Sequence, residues 1–259
     1  MTSQERAKIP NDGASWFKLA VAFQISARYK DSERAYKKAV RLLKTEGSES
    51  MSDALDGMGT MYVQIRKYEK ARTVETEALL IREAKHDAVG VGLSWMHLAL
   101  VSLGQHRLPD AEMFAEMAVH RLVPERTNPT MHSTATADEK MTALVYLAEI
   151  RCAQVHYDDA IPELVAALGI AKSVHPAGSP LAISYIKFLL GYAIWKNGEP
   201  GRAAELFESG IRGLQATVSP THPTFTAAVR QYKAFLNEIH GPHSVEARRL
   251  GFLNELDGH

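Results

Sequence analysis

Apolar and small residues recur along most of this chain at steps of three and four, the stripe of an amphipathic helix. One stripe runs through Trp16, Leu19, Ala20 and Phe23, breaks, and resumes as Tyr29, Ser32, Tyr36 and Ala39. The same offsets return in Leu55, Met58, Gly59 and Tyr62, followed by Tyr68, Ala71 and Ala78. A third copy has Trp95, Leu98 and Ala99, then Leu108, Ala111 and Ala118. The fourth has Leu144, Leu147 and Ala148, then Tyr157, Ala160, Leu164 and Ala167, and the fifth has Leu190, Gly191 and Ile194, then Ala203 and Phe207. Stripes break at short polar junctions such as Ile65-Arg66-Lys67, Gly104-Gln105-His106 and Asn197-Gly198-Glu199. Each copy therefore predicts two antiparallel helices joined by a tight turn. The small residues Ala20, Gly59, Ala99, Ala148 and Gly191 fall where a first helix approaches its second. Ala71, Ala111, Ala160 and Ala203 answer them from the other side, and large residues fill the space between.

Measured at Ser32, Ala71, Ala111, Ala160 and Ala203, the copies step by 39, 40, 49 and 43 residues. The longest step contains residues 123–137, a polar stretch with two prolines and no helical stripe, which predicts a loop. Past His222-Pro223 the pattern predicts a helix to about Ile239, a break at Gly241-Pro242 and a last helix through Leu256. Arg230 and Lys233 stand near its apolar positions, so this pair reads as a degenerate terminal cap with a wetter outer face. The expected organisation is a polar segment at 1–12, five repeats within 13–218 (about 13–48, 51–85, 88–122, 138–173 and 180–216) with the loop at 123–137, and the terminal pair at 219–259.

The pattern Trp16-x-x-Leu19-Ala20-x-x-Phe23 with Tyr29, Tyr36 and Ala39 resembles the tetratricopeptide repeat (TPR). Leu55-x-x-Met58-Gly59-x-x-Tyr62 with Tyr68, Ala71 and Ala78 resembles it more closely. The resemblance extends from about residue 13 to the C-terminus. Copies three to five depart from it, with Ser102, Arg151 and Ile194 where the aromatic closing the first-helix motif belongs. Every step exceeds the basic period of about 34 residues. With His175-Pro176 and His222-Pro223, this resembles the long repeats of kinesin light chains and their bacterial relatives. The resemblance implies an all-α, right-handed superhelical solenoid of TPR-like helix-turn-helix repeats, with a concave groove lined by the first helices.

It also implies that the second, fifth, ninth and twelfth positions of each first helix point into that groove. In the fifth copy these are Tyr185, Phe188, Tyr192 and Trp195, one aromatic stripe. The third copy contributes Leu93, Met96, Leu100 and Leu103, the second Asp53, Asp56, Thr60 and Val63, and the fourth Thr142, Val145, Glu149 and Cys152. Such a groove is acidic at Asp53 and Asp56, apolar through the third copy and aromatic toward the C-terminal end. It suits a peptide or partner helix with apolar anchors and a basic flank. The aromatic stripe has two readings: a binding surface, since such side chains often dominate interface energy, or internal packing under the C-terminal cap. Repeats that hold the acidic tails of heat-shock chaperones need Lys and Asn in the first copy, where this chain has Phe17 and Val21. Asp56 would also repel a carboxylate, so that specificity is rejected.

Composition narrows the classes further. The 259 residues carry 30 Lys+Arg against 30 Asp+Glu, a zero formal charge that argues against a partner held mainly by its phosphates. An apolar fraction of 46% excludes a wholly disordered chain. The single Cys152 excludes a disulfide framework, and without a Cys pair there is no zinc ribbon. No apolar run approaches the ~20 residues that span a bilayer, and residues 1–12 lack the apolar core of a secretory signal. A cytoplasmic protein is the expectation.

Arg34, Lys37, Lys38, Arg41 and Lys44 form a basic stripe on a second helix, beside Asp31 and Glu33, and read as a solvated face. His240-Gly-Pro-His243 is the one close His pair, but it spans a helix break and has no flanking ligands at metal spacing. His97, His106, His120 and His156 read as structural or surface residues. Cys152 reads as a small apolar residue. No phosphate-binding or nucleophile motif occurs. The sequence thus points to a non-catalytic scaffold or adaptor, with no metal or cofactor, that binds a protein or peptide and neither nucleic acid nor membrane. Two alternatives stand beside it: a regulatory sensor enclosing a short peptide or small ligand, and a module that self-associates as a homodimer.

Overall fold

The computed structural model describes residues 12–174, 180–219 and 222–241. Within them lie eleven α-helices and no strand. They pair as α1 (Gly13–Ile25) with α2 (Tyr29–Glu46), α3 (Met51–Gln64) with α4 (Tyr68–Ala84), α5 (Ala88–Gly104) with α6 (Leu108–Leu122), α7 (Ala137–Ala153) with α8 (Tyr157–Val174), and α9 (Pro180–Lys196) with α10 (Pro200–Thr217). A further helix, α11 (Pro223–His240), follows. The segment 1–11, the His175-Pro176 dipeptide and the helix expected beyond Gly241-Pro242, with His243, lie outside the described residues.

Local chemistry sets the helix starts. Asp12 and Asp87 accept the backbone N–H of Ser15 and Gly90, each at 2.8 Å, and so cap α1 and α5. Thr136 and Glu139 form a capping box at α7, each side chain bonded to the other's backbone N–H. That box ends the loop read from the sequence, whose first residues instead make a 3-10 turn over Pro124–Arg126.

The five hairpin turns share one geometry. In each, one residue adopts a left-handed conformation: Ala27, Arg66, His106, Val155 and Gly198, with φ of 54°, 57°, 58°, 69° and 87°. The next N–H then reaches back to a carbonyl near the end of the first helix: Arg28 to Phe23, Lys67 to Tyr62, Arg107 to Ser102, His156 to Arg151 and Glu199 to Ile194, at 2.8–3.1 Å. This is the Schellman closure, which satisfies carbonyls the helix leaves unpaired. Only Gly198 adopts it without the crowding an L side chain meets there.

Two compact units divide the chain, residues 1–135 and 136–259. Helices α1–α6 form the first and α7–α11 the second. In each, successive first helices touch one another (α1 with α3, α3 with α5, α7 with α9), whereas a second helix touches chiefly its own partner and the next first helix. Each unit therefore bends so that its first helices line the inner side. The sequence-predicted small positions are the contact points: Ala20, Ala71, Ala99, Ala111, Ala148, Ala160 and Ala203 have no exposed surface. At Gly59, a Cβ would stand 1.9 Å from a carboxylate oxygen of Glu75 on α4, so only glycine lets that side chain in.

The core of the first unit gathers Phe23, Tyr36, Leu55, Met58, Met61, Tyr62 and Val74. Tyr36 and Tyr62 bury their rings and donate their hydroxyls to Gln24 and Glu33, at 2.7 and 3.0 Å. The core of the second unit is aromatic: Phe207 packs on Phe188, Trp195, Tyr232 and Phe235 with ring centroids 4.7–6.0 Å apart. On α11 the buried side is Phe225, Ala228, Val229, Tyr232, Phe235 and Leu236. Arg230 lies on its exposed side, whereas Lys233 is half-buried at the edge of that stripe. Arg34, Lys37, Arg41 and Lys44 are exposed on α2, the solvated face expected of them.

Candidate binding faces of the two units

In the first unit, the inner face of α3 and α5 holds a cluster of charged side chains. Arg82, from the end of α4, is buried and runs up between these helices. Its guanidinium contacts Asp56 Oδ2 at 2.6 Å and Asp53 Oδ1 at 3.1 Å, and donates to Ser94 Oγ at 2.8 Å. On α5, His97 Nδ1 stands 3.2 Å from Glu75 Oε2 and 3.5 Å from Asp56 Oδ1. Burial alone would discharge His97, but hydrogen bonds and charge from Asp56 and Glu75 outweigh it and lift its pKa to about 10. Burial would likewise raise Asp56, yet His97 and Arg82 hold it below the ordinary carboxylate value. Glu75, the more deeply enclosed acid, is pushed up to about 7 by burial, with Asp56 adding to the rise.

The ligand atoms of Asp56, Glu75 and His97 lie within 4.8 Å of one another, the spacing of a metal triad. The surroundings favour an ion network instead. Imidazolium and guanidinium already neutralise the two acids, and a dication would have to expel the His97 proton and sit beside Arg82. The acidic flank expected at Asp53 and Asp56 is therefore largely spent within the protein. Asp56 is buried and paired, and only Asp53, 58% exposed, faces outward. Next to it, Leu93 and Leu100 are half-buried on the inner face, while Met96 is buried in the core.

The second unit treats its acid differently. Glu149 of α7 is half-buried and accepts a short hydrogen bond from the Tyr185 hydroxyl of α9. Burial raises the Glu149 pKa and the Tyr185 bond lowers it, with burial the stronger. Burial, helped by the Glu149 charge, also raises Tyr185 and lifts the Cys152 thiol to about 12, which makes Cys152 a poor nucleophile. Tyr146 and Tyr192 stand nearby, half-buried, and Tyr192 meets Tyr157 edge-on at 6.0 Å.

The predicted aromatic stripe thus splits. Phe188 and Trp195 are core residues, 3% and 5% exposed, and the Trp195 indole donates to Glu238 of α11 at 3.1 Å. Tyr185 and Tyr192 keep part of their surface on the inner face. A helix packed on both sides turns its fifth and twelfth positions toward α10 and α11, which a groove rule taken from one helix at a time does not register. The sequence pattern did not single out Glu75 or Arg82, and gave His97 only as a structural or surface residue. Their signal is faint: a Glu and an Arg at helix positions expected to be buried, with a His on the next first helix.

No family model matches the sequence, and no curated protein matches it. Solved structures do. Aspartyl phosphate phosphatase F from Bacillus subtilis superposes with a TM-score of 0.71 at 15% identity, over 95% of this chain and 60% of that one. Kinesin light chain-like TPR repeats from Podosopora anserina superpose at 0.60 with 16% identity, over 80% of this chain and 95% of theirs. NprR bound to its cognate peptide NprX superposes at 0.60 with 12% identity, over 94% and 65%. The chain is a TPR-like repeat protein in fold. Among the described residues, no helix is long and apolar enough to cross a membrane.

Proposed function

We propose that this protein is a non-catalytic, cytoplasmic scaffold or adaptor that binds a peptide or an extended segment of a partner protein along the inner faces of its first helices. The observation that carries this is the set of half-buried apolar and aromatic side chains there: Leu93 and Leu100 in the first unit, Tyr185 and Tyr192 in the second. Their remaining surface is available to a partner, and aromatics of this kind make strong anchors. A TPR-like structure holding a cognate peptide supports the same use of the fold. That likeness equally suits a sensor enclosing a short peptide, which differs in consequence rather than in recognition.

Selection of decapeptides from a random display library against the purified protein tests the reading. Selected peptides should lose about tenfold or more in affinity for Tyr192→Ala, whose helicity and melting temperature stay near those of the parent. A fall of many degrees in melting temperature would mark Tyr192 as core. Light scattering over a hundredfold concentration range checks the homodimer alternative. A constant monomer mass leaves the faces free for a partner. A dimer lost in Tyr192→Ala makes the partner a second copy.

A further inference from the structure

Register across the repeats shows what the second unit lacks. Arg82 stands eleven residues after the packing residue Ala71 of α4, and the same position after Ala160 of α8 is Ala171, fully buried. His97 stands two residues before Ala99 of α5, the first helix after α4, and the matching position before Gly191 of α9, the first helix after α8, is Leu189. Both cations that neutralise the inner-face acids of the first unit are thus replaced by apolar side chains. The acids shift as well: Val145 and Leu164 stand at the positions of Asp56 and Glu75, and where the first unit has Thr60 and Leu100 the second unit's inner-face acid is Glu149. Among the described residues no Lys, Arg or His contributes to its electrostatics, and its one hydrogen bond comes from neutral Tyr185.

The nearby cations are turned elsewhere. Arg151 donates to Glu163 at 2.8 Å and to the Asp159 carbonyl at 3.2 Å on α8. Lys187 donates to Ser209 at 2.8 Å, and Lys196 lies 3.5 Å over the Trp195 ring. Beside Glu149, burial and the carboxylate's charge push the Tyr146 phenol and the Cys152 thiol up, so both stay neutral. A half-buried acid flanked by the phenols of Tyr146 and Tyr185, with no counter-ion among the described residues, has the chemistry of a cation site: the acid supplies charge and the aromatic rings attract a guanidinium or ammonium.

We infer that Glu149, with Tyr146 and Tyr185, forms a binding site for a basic side chain, Arg or Lys, of a peptide lying across α7 and α9. This rests on the peptide-binding reading above and names the anchor that reading leaves open. The peptide supplies from outside the positive charge that Arg82 and His97 supply from inside in the first unit.

The test begins with the decapeptides selected from the random library. They should share one basic position, and replacing it by citrulline, or by norleucine where it is Lys, should weaken binding roughly 10–100-fold, as for loss of a charged hydrogen bond. With Glu149→Gln that difference should shrink to about threefold or less. Tyr185→Phe, which keeps the ring and removes the donor, should keep the preference for a basic side chain. Selected peptides without a shared basic position, or a preference that survives Glu149→Gln, would overturn the site while leaving peptide binding intact. A library that yields no binder removes the peptide reading and the site with it. Titration of Nα-acetyl-arginine methylamide, followed by the side-chain carboxyl carbon signal of Glu149, addresses the site alone. A saturable shift absent from a citrulline control supports it, and no shift at millimolar concentration overturns it.

Discussion

The two units place acids on equivalent inner faces and settle them in opposite ways. In the first, Asp56 and Glu75 are met by Arg82 and His97, and a closed network of charges results. In the second, among the described residues, Glu149 is met by the Tyr185 phenol alone. A buried charge is tolerated when the protein supplies its partner and is costly when it does not. The first arrangement holds helices together, whereas the second keeps an acid under strain that a ligand can relieve. One repeat fold thus carries a structural ion network in one unit and a recognition site in the other, built at different register positions of their helices.

The contrast breaks most visibly at Arg82. Arg82→Met leaves Asp56 buried without its guanidinium and should cost about 3–5 kcal/mol, measured by urea denaturation. Adding Asp56→Asn should recover much of the loss, as removal of both partners usually does.

Trp195→Ala should cost a similar amount, about 3–5 kcal/mol, because it empties the aromatic core of the second unit. Tyr192→Ala should cost clearly less, and comparing the two melting temperatures tests whether the stripe is divided as described.

The pH dependence of stability sharpens the comparison. His97 is raised in the folded state, so its contribution is complete below its ordinary pKa of 6.5 and is lost as pH rises through about 10. Glu75, an acid raised to about 7, acts in the same direction, favouring the folded protein below its ordinary value and less as pH climbs. Denaturation midpoints between pH 6 and pH 10 should therefore fall, and His97→Gln should flatten the upper part of that fall.

Glu149→Gln should do the reverse of Arg82→Met. Its raised pKa means that the folded protein prefers the neutral acid, so stability is highest below the ordinary value of 4.5 and declines as pH rises through the folded value. At pH 7 the amide should gain on the order of 1 kcal/mol, and the gain should vanish toward pH 4. A loss at pH 7 would show that the acid is already compensated. The smallest effect belongs to the turns. Val155 is β-branched, 67% exposed and left-handed at φ 69°, so Val155→Gly should stabilise by about 0.5–1 kcal/mol, read from the same denaturation curves.

Periodicity of three and four was enough to find the helices, because it is the geometry of a single helix repeated, and the caps at Asp12, Asp87 and Thr136 act over three residues. The small residues from Ala20 to Ala203 likewise announce where helices touch, since close approach excludes larger side chains whatever the neighbour is. The TPR-like fold follows from these local terms alone. What a side chain does on its helix does not. Trp195 and Tyr192 stand three residues apart on the same aromatic stripe, yet α10 and α11 bury the first and leave the second half open. Asp56 and Glu149 are both acids at inner-face positions, and only the reach of Arg82 from the end of α4, and the absence of any such reach from Ala171, makes one a closed ion pair and the other an acid awaiting a cation. Helix formation depends on neighbours in sequence, which a sequence displays. Charge compensation and burial depend on neighbours in space, brought together within each unit by the packing of one hairpin on the next.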